Sequence, residues 1–181
     1  IVKMGTRIYG PAVIGPHSRI AGEISNSVFL GFSNKGHDGF LGNSVIGQWC
    51  NLGADTNTSN LKNNYSVVRL WDTQSASMKA TKLQFCGLMM GDHSKCGINT
   101  MFNTGTLIGS GCMLFGGSFM PKHVLPFSWG GDGKWTEHRF DQFVETAKTV
   151  MERRQKQWDH EEEGKWKQEF ATAHAMRIKQ T

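Results

Sequence analysis

The chain has 181 residues, of which 38% are hydrophobic and 19% charged, the balance of a folded globular domain rather than a disordered tail. Twenty-two glycines against four prolines exclude collagen-like and proline-rich chains. No apolar run reaches the ~18 residues of a membrane-spanning helix, and the N-terminus lacks the basic-then-apolar pattern of a signal peptide. A soluble, cytoplasmic protein is the expectation. The net charge of +5 is spread along the chain with no dense Lys/Arg cluster among aromatics. That argues against nucleic acid and for an anionic small molecule as partner.

In chain order, the first signal is a six-residue recurrence of apolar residues, Ile8, Ile14 and Ile20, resumed at Phe40, Ile46 and Leu52. It is strongest at Met90, Cys96, Phe102, Ile108 and Leu114, with a small residue four positions after each: Ser94, Thr100, Thr106, Cys112 and Ser118. A helix needs apolar residues three and four apart, and a hairpin sheet needs strict alternation, so a period of six predicts short strands joined by tight turns. Three hexads, roughly 18 residues, close one coil of a three-sided parallel β-helix. The predicted fold is therefore mainly β, a hexapeptide β-helix over residues 1–120, left-handed as hexapeptide coils wind. Residues 61–83 lack the repeat and are expected to leave the coil as a loop or small hairpin.

After Met120 the pattern changes. Pro121 and Pro126 break the strand rhythm, and Phe140, Phe143, Val144, Ala147 and Met151 recur at helical spacing. Residues 121–181 are thus expected to form a linker and a C-terminal helical extension. The charged run from Glu152 to Lys167 reads as a solvated helix face. Cys50, Cys86, Cys96 and Cys112 lack C-x-x-C spacing and sit in apolar surroundings, as packing thiols do.

Counting from inward residues at 14, 34, 90 and 120, His17, His37, His93 and His123 all fall on the solvent side, with His17 and His37 on one edge. Metal ligation is disfavoured because histidines paired a few residues apart are absent. The surroundings of His37 are distinctive: Asn34-Lys35-Gly36-His37-Asp38-Gly39-Phe40-Leu41-Gly42, then Asn51-Leu52-Gly53-Ala54 and Thr58-Ser59-Asn60.

These phrases, together with the stretch from Met90 to Thr106, resemble the acetyltransferase domain of bacterial bifunctional N-acetylglucosamine-1-phosphate uridyltransferase/glucosamine-1-phosphate N-acetyltransferase. They are closer still to a sister group of sugar nucleotidyltransferases with a fused hexapeptide domain. The likeness covers roughly residues 5–130. It implies acetyl transfer from acetyl-CoA to an amino-sugar 1-phosphate, a homotrimer, and a nucleotidyltransferase domain upstream, the only part for which Mg is expected. By position, His37 matches the catalytic general base, a role suited to imidazole, which titrates near neutral pH. Asn51 matches an amino-sugar ligand, and Asn60 a residue near acetyl-CoA. Backbone amides around Ala54 would serve the acyl oxygen or pantetheine. Two positions depart from the pattern: Phe40 stands where the family has a sugar-contacting tyrosine, and Ser25 near its phosphate-binding lysine. Arg7, Arg19, Lys35 and Lys62 are the remaining candidates for the phosphate. The alternative is a non-catalytic hexapeptide module that oligomerises or regulates an upstream nucleotidyltransferase.

Overall fold

A computed structural model describes residues 1–178, which form a left-handed parallel β-helix closed by two helices. The first face is a six-stranded sheet of Val13–Ile14, Val28–Gly31, Val45–Gln48, Leu88–Met90, Thr106–Ile108 and His123–Val124. The second stacks Arg19–Ile20, Asn34–Lys35, Asn51–Leu52, Lys95–Cys96, Met113–Leu114 and Ser128–Gly131, ending in the antiparallel strand Lys134–Glu137. The third holds Arg7–Tyr9, Glu23–Ser25 and Phe40–Gly42, with Asn57–Thr58 paired to Met101–Phe102 further along.

The hexad arithmetic reproduces the core. Ile46, Leu52, Phe102 and Ile108 are buried, and Ile14, in an outer coil, packs partly exposed against the same cluster. Burying each such side chain contributes roughly 1.5–3 kcal/mol. The small residues after them face inward and satisfy the corners: Ser94 donates to the Gly109 carbonyl at 2.7 Å and accepts from the Cys112 amide at 3.0 Å. Ser118 is the exception, exposed and donating to Asp132. At Gly53 a Cβ would lie 2.4 Å from the Gly97 backbone of the next coil, so the close approach of coils requires glycine. All four cysteines are free, buried thiols.

Four expectations need correction. Phe40 does not point inward; Leu41 does, fully buried, because the coil there is shorter than three full hexads. On the preceding face of the same coil the inward residue is Lys35, not Asn34. The solenoid does not stop at residue 120: His123–Val124 and Ser128–Gly131 continue the first and second faces. Pro126 is tolerated because it lies between strands, where no ladder amide is required. Finally, the charged run does not form one helix. α1 (Phe140–Glu152) ends at its start, and α2 (His160–Ile178) begins after Asp159, whose carboxylate accepts from the Glu162 amide at 2.9 Å as an N-cap. Between Asn57–Thr58 and Leu88–Met90 the chain throws out an antiparallel hairpin, Arg69–Asp72 with Ser77–Ala80, and Trp71 of this hairpin stacks on His123.

One corner of the prism organises the rest. His17, Phe32, Trp49, His93, Gly111 and Phe127 occupy it in successive coils with φ of 58°, 54°, 61°, 58°, 69° and 53°. A left-handed conformation costs a non-glycine residue about 1 kcal/mol. Ring stacking offsets it: centroids lie 4.8 Å apart for His17 and Phe32 and 4.1 Å for Phe32 and Trp49, contacts worth about 0.5–1.5 kcal/mol each. The two helices cover the far end of this column. Phe143 of α1 and Trp166 of α2 set their rings edge-on to His93 at 5.6 and 5.1 Å.

Candidate functional site

Because side chains alternate along a strand, the residue before each inward position on the second face points out. In register these are Arg19, Asn34, Asn51 and Lys95, one above the other in four successive coils. His37 lies at the adjoining corner, two residues past the buried Lys35. Its imidazole is exposed, at the rim of a cleft of about 350 Å³ lined by Arg19, Asn34, Asn51, the Leu52–Ala54 turn and Ile98. Lys3 closes the rim, donating from Nζ to the Gly36 carbonyl at 2.7 Å.

The structure thus brings His37, Asn51, Arg19 and Ala54 together. It separates the others. Lys35 is only 1% exposed; its Nζ donates to the carbonyls of His37 (2.9 Å), Asp38 (3.2 Å) and Ala21 (3.2 Å). It is not accessible to a phosphate from solvent, contrary to the sequence expectation, because the register turns it into the prism. Burial lowers its pKa to about 8. Phe40 stands on the third face, in register with Glu23 and with its amide bonded to Asn57 Oδ1 at 2.8 Å. Asn60 donates to Asn43 Oδ1 at 2.7 Å and is not part of the His37 cleft. Arg7 is paired with Glu23 at 2.9 Å.

The histidines also part company. His17 is stacked on Phe32, so it shares an edge with Phe32 and Trp49 rather than with His37. His93, expected on the solvent side, is 3% exposed beneath the helices, and burial pushes its pKa down to about 3. Sequence reasoning missed Asn34 and Lys95, although both occupy the position before the inward residue, as Arg19 and Asn51 do. It also missed Arg153 and Arg154, which follow α1 and reach the same face, Arg154 donating to Asn34 Oδ1 at 3.2 Å.

A glycine-punctuated parallel prism with three short strands per coil defines the chain as a hexapeptide-repeat β-helix. No protein-family model matches it. The Bifunctional protein GlmU of Methanocaldococcus jannaschii is 30% identical over 92 residues, 51% of this chain and 22% of that protein. The Bifunctional protein GlmU of Methanococcus aeolicus is 32% identical over 88 residues, 49% of this chain and 21% of that protein. The matched stretch therefore spans about a fifth of these relatives' length. Among solved structures, a point mutant of AntD, an N-acyltransferase from Bacillus cereus in complex with dTDP-4-amino-4,6-dideoxyglucose and Coenzyme A, superposes with a TM-score of 0.57 at 14% identity. The superposition covers 83% of this chain and 87% of that one. That likeness is one of fold. Among the described residues no helix is long and apolar enough to cross a membrane.

Proposed function

We propose that the chain transfers an acetyl group from acetyl-CoA to the amino group of an amino-sugar 1-phosphate, with His37 as general base. The observation that carries this reading is the convergence of His37, Asn51, Arg19 and the Ala54 turn on one cleft. An imidazole nitrogen takes a proton from the amine as its nitrogen bonds to the thioester carbonyl carbon. The tetrahedral intermediate then collapses, the C–S bond breaks, and the imidazolium returns the proton to the leaving thiolate. Asn51 would orient the sugar, backbone amides at Ala54 would steady the acyl oxygen, and Arg19 would meet the anionic end of the acceptor. Similarity to the bifunctional GlmU proteins and to an N-acyltransferase fold supports acyl transfer. By the same reading, a magnesium-dependent sugar-1-phosphate nucleotidyltransferase accompanies this activity in the whole protein.

A homotrimer belongs to the proposal. The single prism offers open faces rather than an enclosed pocket, and Phe40 and Asn60, matched to the family's sugar and acetyl-CoA contacts, lie off the His37 cleft in one chain. A neighbouring copy would supply them. The test is release of free CoA thiol from acetyl-CoA with a panel of amino-sugar phosphates, alongside light scattering. Release with at least one acceptor by a trimeric species is expected. A 20.2 kDa monomer that releases no thiol with any acceptor overturns the reading in favour of a non-catalytic module.

A further inference from the structure

Beside the His37 cleft lies a second one, of about 320 Å³, where the end of α1 and the residues after it lean over the second face. Arg19 and Lys95 rise from the solenoid floor, and Arg153 and Arg154 descend from the tail. The clefts adjoin, with Arg19, Asn34 and Asn51 lining both. No carboxylate lines either of them. Among the described residues none of the four cations makes an ion pair, whereas Arg7, Arg139 and Lys167 elsewhere each find an acid. Arg154 is half-buried, and its like-charged neighbours Arg19 and Arg153 depress its pKa further than burial alone.

Four cations converging on one cavity with no acid repel one another in the free protein, and a ligand that brings compensating charge relieves the repulsion. A single phosphate is saturated by one or two guanidinium forks. Four cations, two at opposite ends of a four-coil stack and two just past a helix end, match a longer anion. We propose that this second cleft is a diphosphate site, holding the diphosphate of the ligand whose reacting end lies at His37. The proposal rests on the acyl-transfer reading for that orientation only. Two ligands supply the chemistry: coenzyme A, through its own diphosphate, or an acceptor that is a nucleoside diphosphate sugar rather than a sugar monophosphate.

The experiment is calorimetric titration of the full chain with inorganic pyrophosphate and with orthophosphate at constant ionic strength, which requires no turnover. Pyrophosphate should bind about tenfold or more tightly than orthophosphate, and Arg154→Gln should weaken it by about tenfold. Arg7→Gln, at the pair with Glu23 on the third face, should change it less than about twofold. Should Arg154→Gln fail to fold by circular dichroism, the exposed Arg153→Gln replaces it. Displacement of pyrophosphate by CoA but not by UDP-glucosamine, which carries the free amine, assigns the cleft to the acyl donor, and displacement by UDP-glucosamine but not by CoA assigns it to the acceptor. Displacement by neither overturns the proposal, as does equal binding of the two phosphates or indifference to the arginine variants. A chain that binds pyrophosphate through Arg154 yet releases no thiol retains the diphosphate site and refutes acyl transfer.

Discussion

The ammonium of Lys35 donates to the main-chain carbonyl of His37 at 2.9 Å from inside the prism, so the loop that presents the imidazole is tied down from beneath. The same nitrogen holds the Asp38 and Ala21 carbonyls. Lys35 is thus a positioning residue for the exposed histidine, and its burial has a measurable cost.

Lys35→Met removes a buried charge but takes the lysine donor from the Ala21 and His37 carbonyls, while the Asp38 carbonyl keeps the Asp55 amide at 3.0 Å; the two terms are of opposite sign and similar size, each about 1–3 kcal/mol. The thermal midpoint should move by only a few degrees, while amide exchange at residues 36–39 quickens and kcat for acetyl transfer falls with little change in KM. The pH dependence separates the two effects. Since the folded-state pKa of about 8 lies below the ordinary lysine value, the unfolded chain binds more protons between them, and stability rises with pH across that window. Lys95, also at about 8, contributes in the same sense, so the variant should show a smaller rise, not none. An unchanged exchange rate would dissociate Lys35 from the loop.

His37→Ala should reduce acetyl transfer by about 10²-fold or more with the fold intact, because the ring is exposed and lies outside the buried core. The matched control is His17→Ala, an exposed corner histidine outside the cleft, which should retain most of the activity. Equal activity of both variants in the CoA release assay would remove His37 from the chemistry.

His93→Ala, by contrast, opens a void under Phe143, Trp158 and Trp166 and should cost about 2–4 kcal/mol in urea unfolding. The buried ring also makes the fold acid-sensitive. With its folded pKa near 3, the unfolded chain takes up the proton first as pH drops below about 6.5, and stability falls by about 2 kcal/mol between pH 7 and 5. His138, lowered mainly by burial, adds to the same trend. His93→Gln should flatten it, and an unaltered pH profile would contradict the burial.

Phe40→Tyr restores the hydroxyl whose absence distinguishes this sequence from the pattern it resembles. Phe40 is half-exposed, so stability should be unchanged. One hydrogen bond to the sugar is worth about 0.5–1.5 kcal/mol, a lowering of KM for the acceptor of several-fold. A KM that does not fall would place Phe40 outside the sugar site.

The core was legible because a period of six admits few architectures: Ile46, Leu52, Phe102 and Ile108 could be placed inside from spacing alone. The misplacements share a cause. Coils through Leu41 and Lys35 are shorter than three full hexads, and one missing residue moves a side chain from interior to surface. Phe40 and Lys35 were lost this way. His93 was misread because burial there comes from distant helices, the second of which buries only Trp166 and Ala173. Arg153 and Arg154 had no local signal, since only the fold-back of α1 brings them to Asn34.

Lys134–Glu137 runs antiparallel to Ser128–Gly131 at the edge of the second face. A parallel solenoid is otherwise an invitation to indefinite stacking, since each coil presents the next with the same ladder of amides and carbonyls. Reversing the final strand of the described residues replaces that template, on the second face, with one that does not repeat the coil register. The reversal therefore ends the parallel ladder on this face, a feature separate from any chemistry at His37.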